Sequence, residues 1–171
     1  MSYWLTGTGP GYPYWLGNNP QPLPYGSFAR NQDQTVAGAN VSTAIIYDTT
    51  VASSQIYYSG SRIYVSAIGI YRILYTVQVD TTSGGQQSVA IYIRKNGVDV
   101  PDSNSFFTIQ NNGEVIAACE IILALVSGDY IEIIMRSSDA NMTANYIAAG
   151  GTAPNTYPAT PAIITNIQKI A

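Results

Sequence analysis

The sequence predicts an all-β protein, a sandwich of about eight to ten strands rather than an open sheet. Three features point there. Between Gly69 and Asp80 the odd positions Tyr71, Ile73, Tyr75, Val77 and Val79 are apolar or aromatic, while the even ones include Arg72, Thr76, Gln78 and Asp80. That is a period of two sustained over a full strand, built from residue types that sheets favour. Asn96-Gly97 and Asn112-Gly113 are hairpin-turn dipeptides set between apolar segments. Nowhere do apolar residues hold helical spacing over a run of helix length.

In chain order, short strands are expected at Ala44 to Tyr47, Gln55 to Tyr58 and Arg62 to Val65. The long strand from Gly69 follows and closes on a loop, Thr81 to Gln87, that holds Gly84 and Gly85. Val89, Ile91 and Ile93 then alternate up to the Asn96-Gly97 turn. Asn112-Gly113 marks a second turn of that kind before Val115 to Val126. Ser127-Gly128-Asp129 reverses the chain into Tyr130 to Arg136, where Ile131, Ile133 and Met135 share a face. Ala162 to Ile170 reads as a closing strand.

Val115 to Val126 breaks the simple alternation. Its odd series is Val115, Ala117, Cys119, Ile121, Leu123 and Leu125; its even series is Ile116, Ala118, Glu120, Ile122, Ala124 and Val126. Both faces are apolar, so both should be covered. One lines the core. The other calls for a neighbouring subunit, or for loops of the same chain. Cys119 is expected to act as a small buried hydrophobe.

Composition divides the chain near residue 25. Residues 1–25 form a predicted extended arm and residues 26–171 the β domain. The arm carries five of the nine prolines, both tryptophans and no Asp, Glu, Lys or Arg. Proline at that density favours extended backbone. Disordered tails are ordinarily charged and poor in aromatics; this one is the reverse. Tyr3, Trp4, Leu5, Tyr12, Tyr14, Trp15, Leu16 and Tyr25 are therefore the candidate partner-binding residues.

The whole-chain counts exclude several functions. Of 171 residues 46% are hydrophobic and only 10% charged, against a usual charged fraction of about 25%. There is no histidine, so the commonest general base and zinc ligand is missing. A single cysteine makes no intrachain disulfide or paired-thiol site. Seven basic residues against ten acidic give a net charge of −3 and no means of gripping a nucleic acid backbone. No apolar run has the ~18 residues of a membrane helix, and the opening residues lack a signal peptide's basic and apolar regions. The expectation is a protein that is not an enzyme, is not secreted by a signal peptide, and needs neither cofactor, nucleic acid nor membrane.

The order and punctuation of these strands resemble the jelly-roll heads of complement and tumour-necrosis-factor-like proteins. The resemblance rests on Phe28 with Gln34, then Gly69-Ile70-Tyr71 opening a long strand, and the Lys95-Asn96-Gly97 turn. The phrase from Leu123 to Asp129 and the ending Ile167-Gln168-Lys169-Ile170 continue it. It spans roughly residues 26–171 and leaves the arm outside. It implies a two-sheet antiparallel jelly roll of about ten strands, assembled as a homotrimer through one sheet. The strand from Gly69 and the run Val115 to Val126 would both lie in that sheet. Tyr71, Tyr75, Ile116, Ala118, Ile122 and Ala124 are then the trimer-interface candidates.

Chemistry offers little else. Asp99 and Asp102 flank Pro101, and with Ser103 and Asn104 they supply hard oxygen donors for a weak surface calcium site; a plain polar loop is the alternative. The tyrosines at 57 and 58 could serve a flat sugar- or protein-binding surface, or the core and a subunit contact. The family resembled includes virion spikes and capsid decorations, and the resemblance, in a chain without a collagen repeat, signal peptide or cysteine framework, implies a virus or bacteriophage structural protein assembled in the host cytoplasm. It would be a capsid decoration or cement protein that binds capsid or other virion proteins through its arm and trimer base. The alternative is a receptor- or glycan-binding head of a viral fibre or spike, whose polar loops around Thr81 to Gln87 and Asp99 to Asn104 contact the host, a host-surface glycan being one candidate partner.

Overall fold

The computed structural model describes residues 22–171. Fourteen strands and no helix make up the described chain. They are β1 (Tyr25–Arg30), β2 (Gln34–Thr35), β3 (Thr43–Ala44), β4 (Thr49–Ser54), β5 (Ile56–Ser59), β6 (Arg62–Val65) and β7 (Gly69–Thr81). Then come β8 (Gln87–Lys95), β9 (Val98–Asp99), β10 (Ser105–Ile109), β11 (Glu114–Leu125), β12 (Tyr130–Ser137), β13 (Met142–Ala144) and β14 (Ile163–Lys169).

They form two seven-stranded sheets, every pairing antiparallel. In the first, β7 is flanked by β11 on one side and by β14 and β13 on the other; β14 leads on to β1 and β4, and β13 to β2. The second runs β10-β8-β12-β6-β5, with β3 against β12 and β9 against β8.

Alternation explains why the sheets stack. The odd side chains of β7, from Tyr71 to Val79, are buried, as are Val89, Ile91 and Ile93 of β8 and Ile131, Ile133 and Met135 of β12. These two inward faces form one continuous core. Phe28, Tyr47 and Tyr58 add an aromatic cluster with ring centres 5.4–6.3 Å apart. Buried hydroxyls find partners, as they must. Tyr75 Oη donates to the Ile91 carbonyl at 3.0 Å, tying the first sheet to the second. Tyr47 Oη lies 2.8 Å from Thr165 Oγ1. Burial, against Thr165's bond, holds the Tyr47 phenol well above its ordinary range.

Several expectations shift in detail. The strand expected at Ala44 to Tyr47 shrinks to the pair Thr43–Ala44, although Ile45 N still donates to the Ile133 carbonyl at 2.9 Å. Asn96-Gly97 adopts the expected turn with both residues at positive φ, 50° and 83°. Asn112-Gly113 does not repeat it. Only Asn112 is left-handed, at 50°, and Gly113 N donates to the Gln110 carbonyl at 2.9 Å. There the glycine serves close approach instead, since a Cβ would stand 2.8 Å from the Gln110 oxygen. Tyr25, placed with the arm by composition, is the first residue of β1 and pairs with Gln168 and Ser54. The Pro24 carbonyl already accepts from Lys169 N at 2.8 Å, so the domain begins at Pro24.

Candidate functional site

The outward face of the first sheet is where the structure departs from an ordinary solvated surface. On β11 the even positions point away from the core, and Ile116 and Ile122 are 66% and 57% exposed. Ala118 and Ala124 are exposed beside them. Register sets these residues against the outward positions of β7: Ile116 opposite Gln78, Ala118 opposite Thr76, Ile122 opposite Arg72 and Ala124 opposite Ile70. Ile68, Ile70 and Val126 extend the apolar surface at one end. There, with Ala124, Ala171 and the stems of Lys95 and Lys169, they line a shallow hollow of about 590 Å³.

One ion pair interrupts the strip. Arg72 donates to Glu120 Oε2 across the β7–β11 register, both side chains being about half exposed. The hydrogen bond and the opposite charge hold the Glu120 carboxyl below its usual range and the Arg72 guanidinium above its own. Exposed pairs of this kind contribute little to an isolated fold.

β11 is also an edge. It pairs with β7 along twelve residues, and no strand among the described residues pairs with its other side. Natural edge strands are usually short or guarded by lysine, proline or bulges. This one is long and unbroken, and its charged residues are Glu114 and Glu120 alone. A bare edge and an apolar face on the same strand both call for cover.

The sequence-predicted interface residues divide between the two sides of the sheet. Ile116, Ala118, Ile122 and Ala124 gather outward as expected. Tyr71 and Tyr75 do not join them. Both are fully buried in the sandwich core, because β7 sends its odd positions inward. Tyr71 Oη donates to the Ala67 carbonyl at 2.7 Å. Burial pushes the Tyr75 phenol up to about 12. Two even positions of β7 are apolar, Ile70 and Leu74, and Ile70 is the one that lines the outward hollow. Cys119 is half-buried on the inward side of β11.

Of the arm residues, Tyr3, Trp4, Leu5, Tyr12, Tyr14, Trp15 and Leu16 lie outside the described residues. The chain enters the sandwich at Pro24, whose bond to Lys169 sets that entry beside the apolar hollow.

Two residues of the calcium-candidate loop, Asp99 and Ser103, are engaged by protein groups. Asp99 Oδ1 accepts from Arg94 Nε at 2.8 Å, so a guanidinium holds the place a cation would take. Ser103 is buried, with its hydroxyl donating to the Val100 carbonyl at 2.8 Å and accepting from Ile93 N at 3.0 Å. Asp102 sits in a left-handed turn at φ 59°. Among the described residues no group of three or more His, Cys, Asp or Glu side chains gathers in metal-binding fashion.

Asp129 is the best-held carboxylate. Its Oδ1 accepts from Asn96 Nδ2 at 2.6 Å and its Oδ2 from Val126 N, with Lys95 Nζ 2.9 Å away. Desolvation alone would raise its pKa. The Val126 amide, Lys95 and Asn96 outweigh that and bring it down to about 2. Two separate sequence motifs, the Lys95-Asn96-Gly97 turn and the Ser127-Gly128-Asp129 turn, thus clasp each other.

Solved structures share this architecture. The globular domain of zebrafish complement 1qA protein superposes with a TM-score of 0.52 over 86% of this chain and 98% of its own, at 12% identity. Murine APRIL at pH 5.0 gives 0.55 over 86% and 99%, at 13% identity. The fold is the complement and tumour-necrosis-factor head jelly roll. No protein-family model and no curated protein matches the sequence. The likeness therefore lies in the path of this jelly roll's backbone, and what its surfaces do must come from their own residues.

Proposed function

We propose that this chain is a virion structural protein, a decoration or cement protein on a capsid. It assembles as a homotrimer through the outward face of the first sheet and holds the shell through residues 1–21 and the trimer base. The observation that carries the reading is the uncovered apolar strip on β11, with Ile116 and Ile122 more than half exposed on an unpaired edge. Completing the burial of each isoleucine is worth up to ~1.5–3 kcal/mol. The trimer implied by the sequence resemblance puts this sheet at its centre. Residues 1–21 support the second half of the reading by composition: uncharged, rich in proline and aromatics, and attached beside an apolar hollow. Repeated in three copies, such a segment gains from avidity.

Two measurements test it. Sedimentation equilibrium of the full-length protein should return a trimer mass. Deleting residues 2–21, which spares Pro24 and Tyr25, should abolish binding to preassembled particles while leaving that mass ratio intact. A monomer in the first experiment, or undiminished particle occupancy in the second, overturns the reading.

A second reading, a receptor- or glycan-binding head on a fibre or spike, draws on a different surface, the exposed Tyr57 of β5 stacked on the half-buried Tyr64 of β6. In it residues 1–21 join the head to a stalk.

A further inference from the structure

On the outward side of the second sheet two cross-strand rows run side by side. Tyr57 of β5, Tyr64 of β6 and Tyr130 of β12 are register partners. The rings of Tyr57 and Tyr64 stack within 11° of parallel at 5.1 Å, and those of Tyr64 and Tyr130 stand 5.5 Å apart. Two residues along each strand, where side chains return to the same face, lie Ser59, Arg62, Glu132, Arg94 and Asp99. The charges in this second row pair off. Glu132 Oε1 accepts from Ser61 Oγ at 2.8 Å and lies 3.5 Å from Arg62 Nε, while Arg94 holds Asp99. Arg62 joins the rows, its guanidinium 4.5 Å from the centre of the Tyr130 ring.

Tyr57, on the sheet's edge strand, is 57% exposed. Its neighbour Tyr58 turns the other way and packs on Phe28 and Tyr47, so the pair that the sequence left undivided serves two ends. The β5–β6 hairpin reads Tyr-Tyr-Ser-Gly-Ser-Arg-Ile-Tyr from residue 57 to residue 64. Recognition loops use this mixture: tyrosine for rigid amphipathic contact, serine and glycine for adaptable hydrogen bonding. Tyrosine and arginine also dominate binding hot spots.

We propose that this double row binds a neutral saccharide, with the C–H face of a sugar ring against Tyr57 and its hydroxyls bonded to Ser59 and Arg62, both exposed, while the buried Glu132 holds Arg62 in place. Charge selects the occupant. Each guanidinium already has its carboxylate, so the surface offers no net charge to a phosphate or an acidic peptide. An apolar segment laid across it would strip water from Arg62 and Ser59 and give nothing back. A polyhydroxylated ligand answers both rows, bonding to the Ser59 hydroxyl, accepting from Arg62 and covering the aromatic carbon. The inference gives the second reading its ligand class and rests on that reading. It needs neither the arm nor the capsid, and the outward side of this sheet stays open when the first sheet is covered.

The test is a panel of immobilised neutral and acidic oligosaccharides probed with the full-length protein, alongside Tyr57→Ala and Arg62→Ala. Both side chains are exposed, and unchanged melting curves would show that the variants fold. Neutral oligosaccharides should be retained, and each variant should weaken that retention about tenfold or more. Retention that survives both substitutions, retention of acidic sugars alone, or a blank panel overturns the saccharide site. Adsorption of the protein to host cells through a protein partner, with the panel blank, would keep the second reading and remove this inference from it.

Discussion

The two sheets bury their inward faces alike and treat their outward faces differently. On the second sheet Arg62, Glu132, Arg94 and Asp99 alternate in sign across four strands, and tyrosine hydroxyls run beside them. Water can solvate such a face at no cost. On the first sheet one ion pair, Arg72 with Glu120, stands among Ile70, Ile116, Ala118, Ile122 and Ala124. Residues of the same β-forming classes were available for both. Under the proposed assembly the apolar face is the one covered by protein and the charged face the one left wet.

The largest effects should come from striking the inside and the outside of the first sheet in turn, at β7 and β11. Tyr75→Ala should cost about 3–5 kcal/mol of folding stability, read as a lowered denaturant midpoint, because it empties the core and removes the bond to Ile91. The folded fraction should keep its oligomeric mass. Ile122→Asp should do the opposite. With its side chain outward, protomer stability should hold while a charge in the covered strip weakens self-association by about 100-fold or more, seen by sedimentation. If Ile122→Asp leaves the mass unchanged, the first sheet's outward face is no interface.

A smaller effect concerns the clasp between the two turns. Asp129 has a pKa of about 2 in the fold against 3.8 for the free side chain. A depressed carboxyl contributes stability above its unfolded value and loses it as pH falls toward its folded one. The gap between wild type and Asp129→Asn, about 1 kcal/mol, should thus be constant near neutrality. It should shrink below pH 3.8 and vanish near pH 2 in urea titrations at each pH. Smallest of all, Arg94→Gln on the wet face should change stability by no more than about 0.5 kcal/mol, with that change disappearing in high salt.

Much of this was legible from the residues. Alternation in Gly69 to Asp80 named the buried series of β7 to the residue, and the two-sided apolarity of β11 named the strip. What alternation does not say is which way a tyrosine serves. The resemblance makes Tyr71 and Tyr75 interface candidates, yet strand parity sends them into the core. β1, β4 and β10 went unread for a related reason. Tyr25–Arg30 and Thr49–Ser54 are rich in small and polar residues, and Ser105–Ile109 is too short for a pattern to declare itself, so pairing partners rather than composition make them strands. The tyrosine row was invisible because Tyr57, Tyr64 and Tyr130 are far apart along the chain and meet only through register.

Pro24 and Ala171 are both tied to the end of the sandwich where β7 starts, through Lys169 and Ile70. The Gly84-Gly85 bend lies at the far end of β7, where a side chain added at either glycine would meet open space. A guest peptide spliced there would project from the opposite pole to anything fused before Pro24 or after Ala171. One molecule would then display two cargoes on separate surfaces.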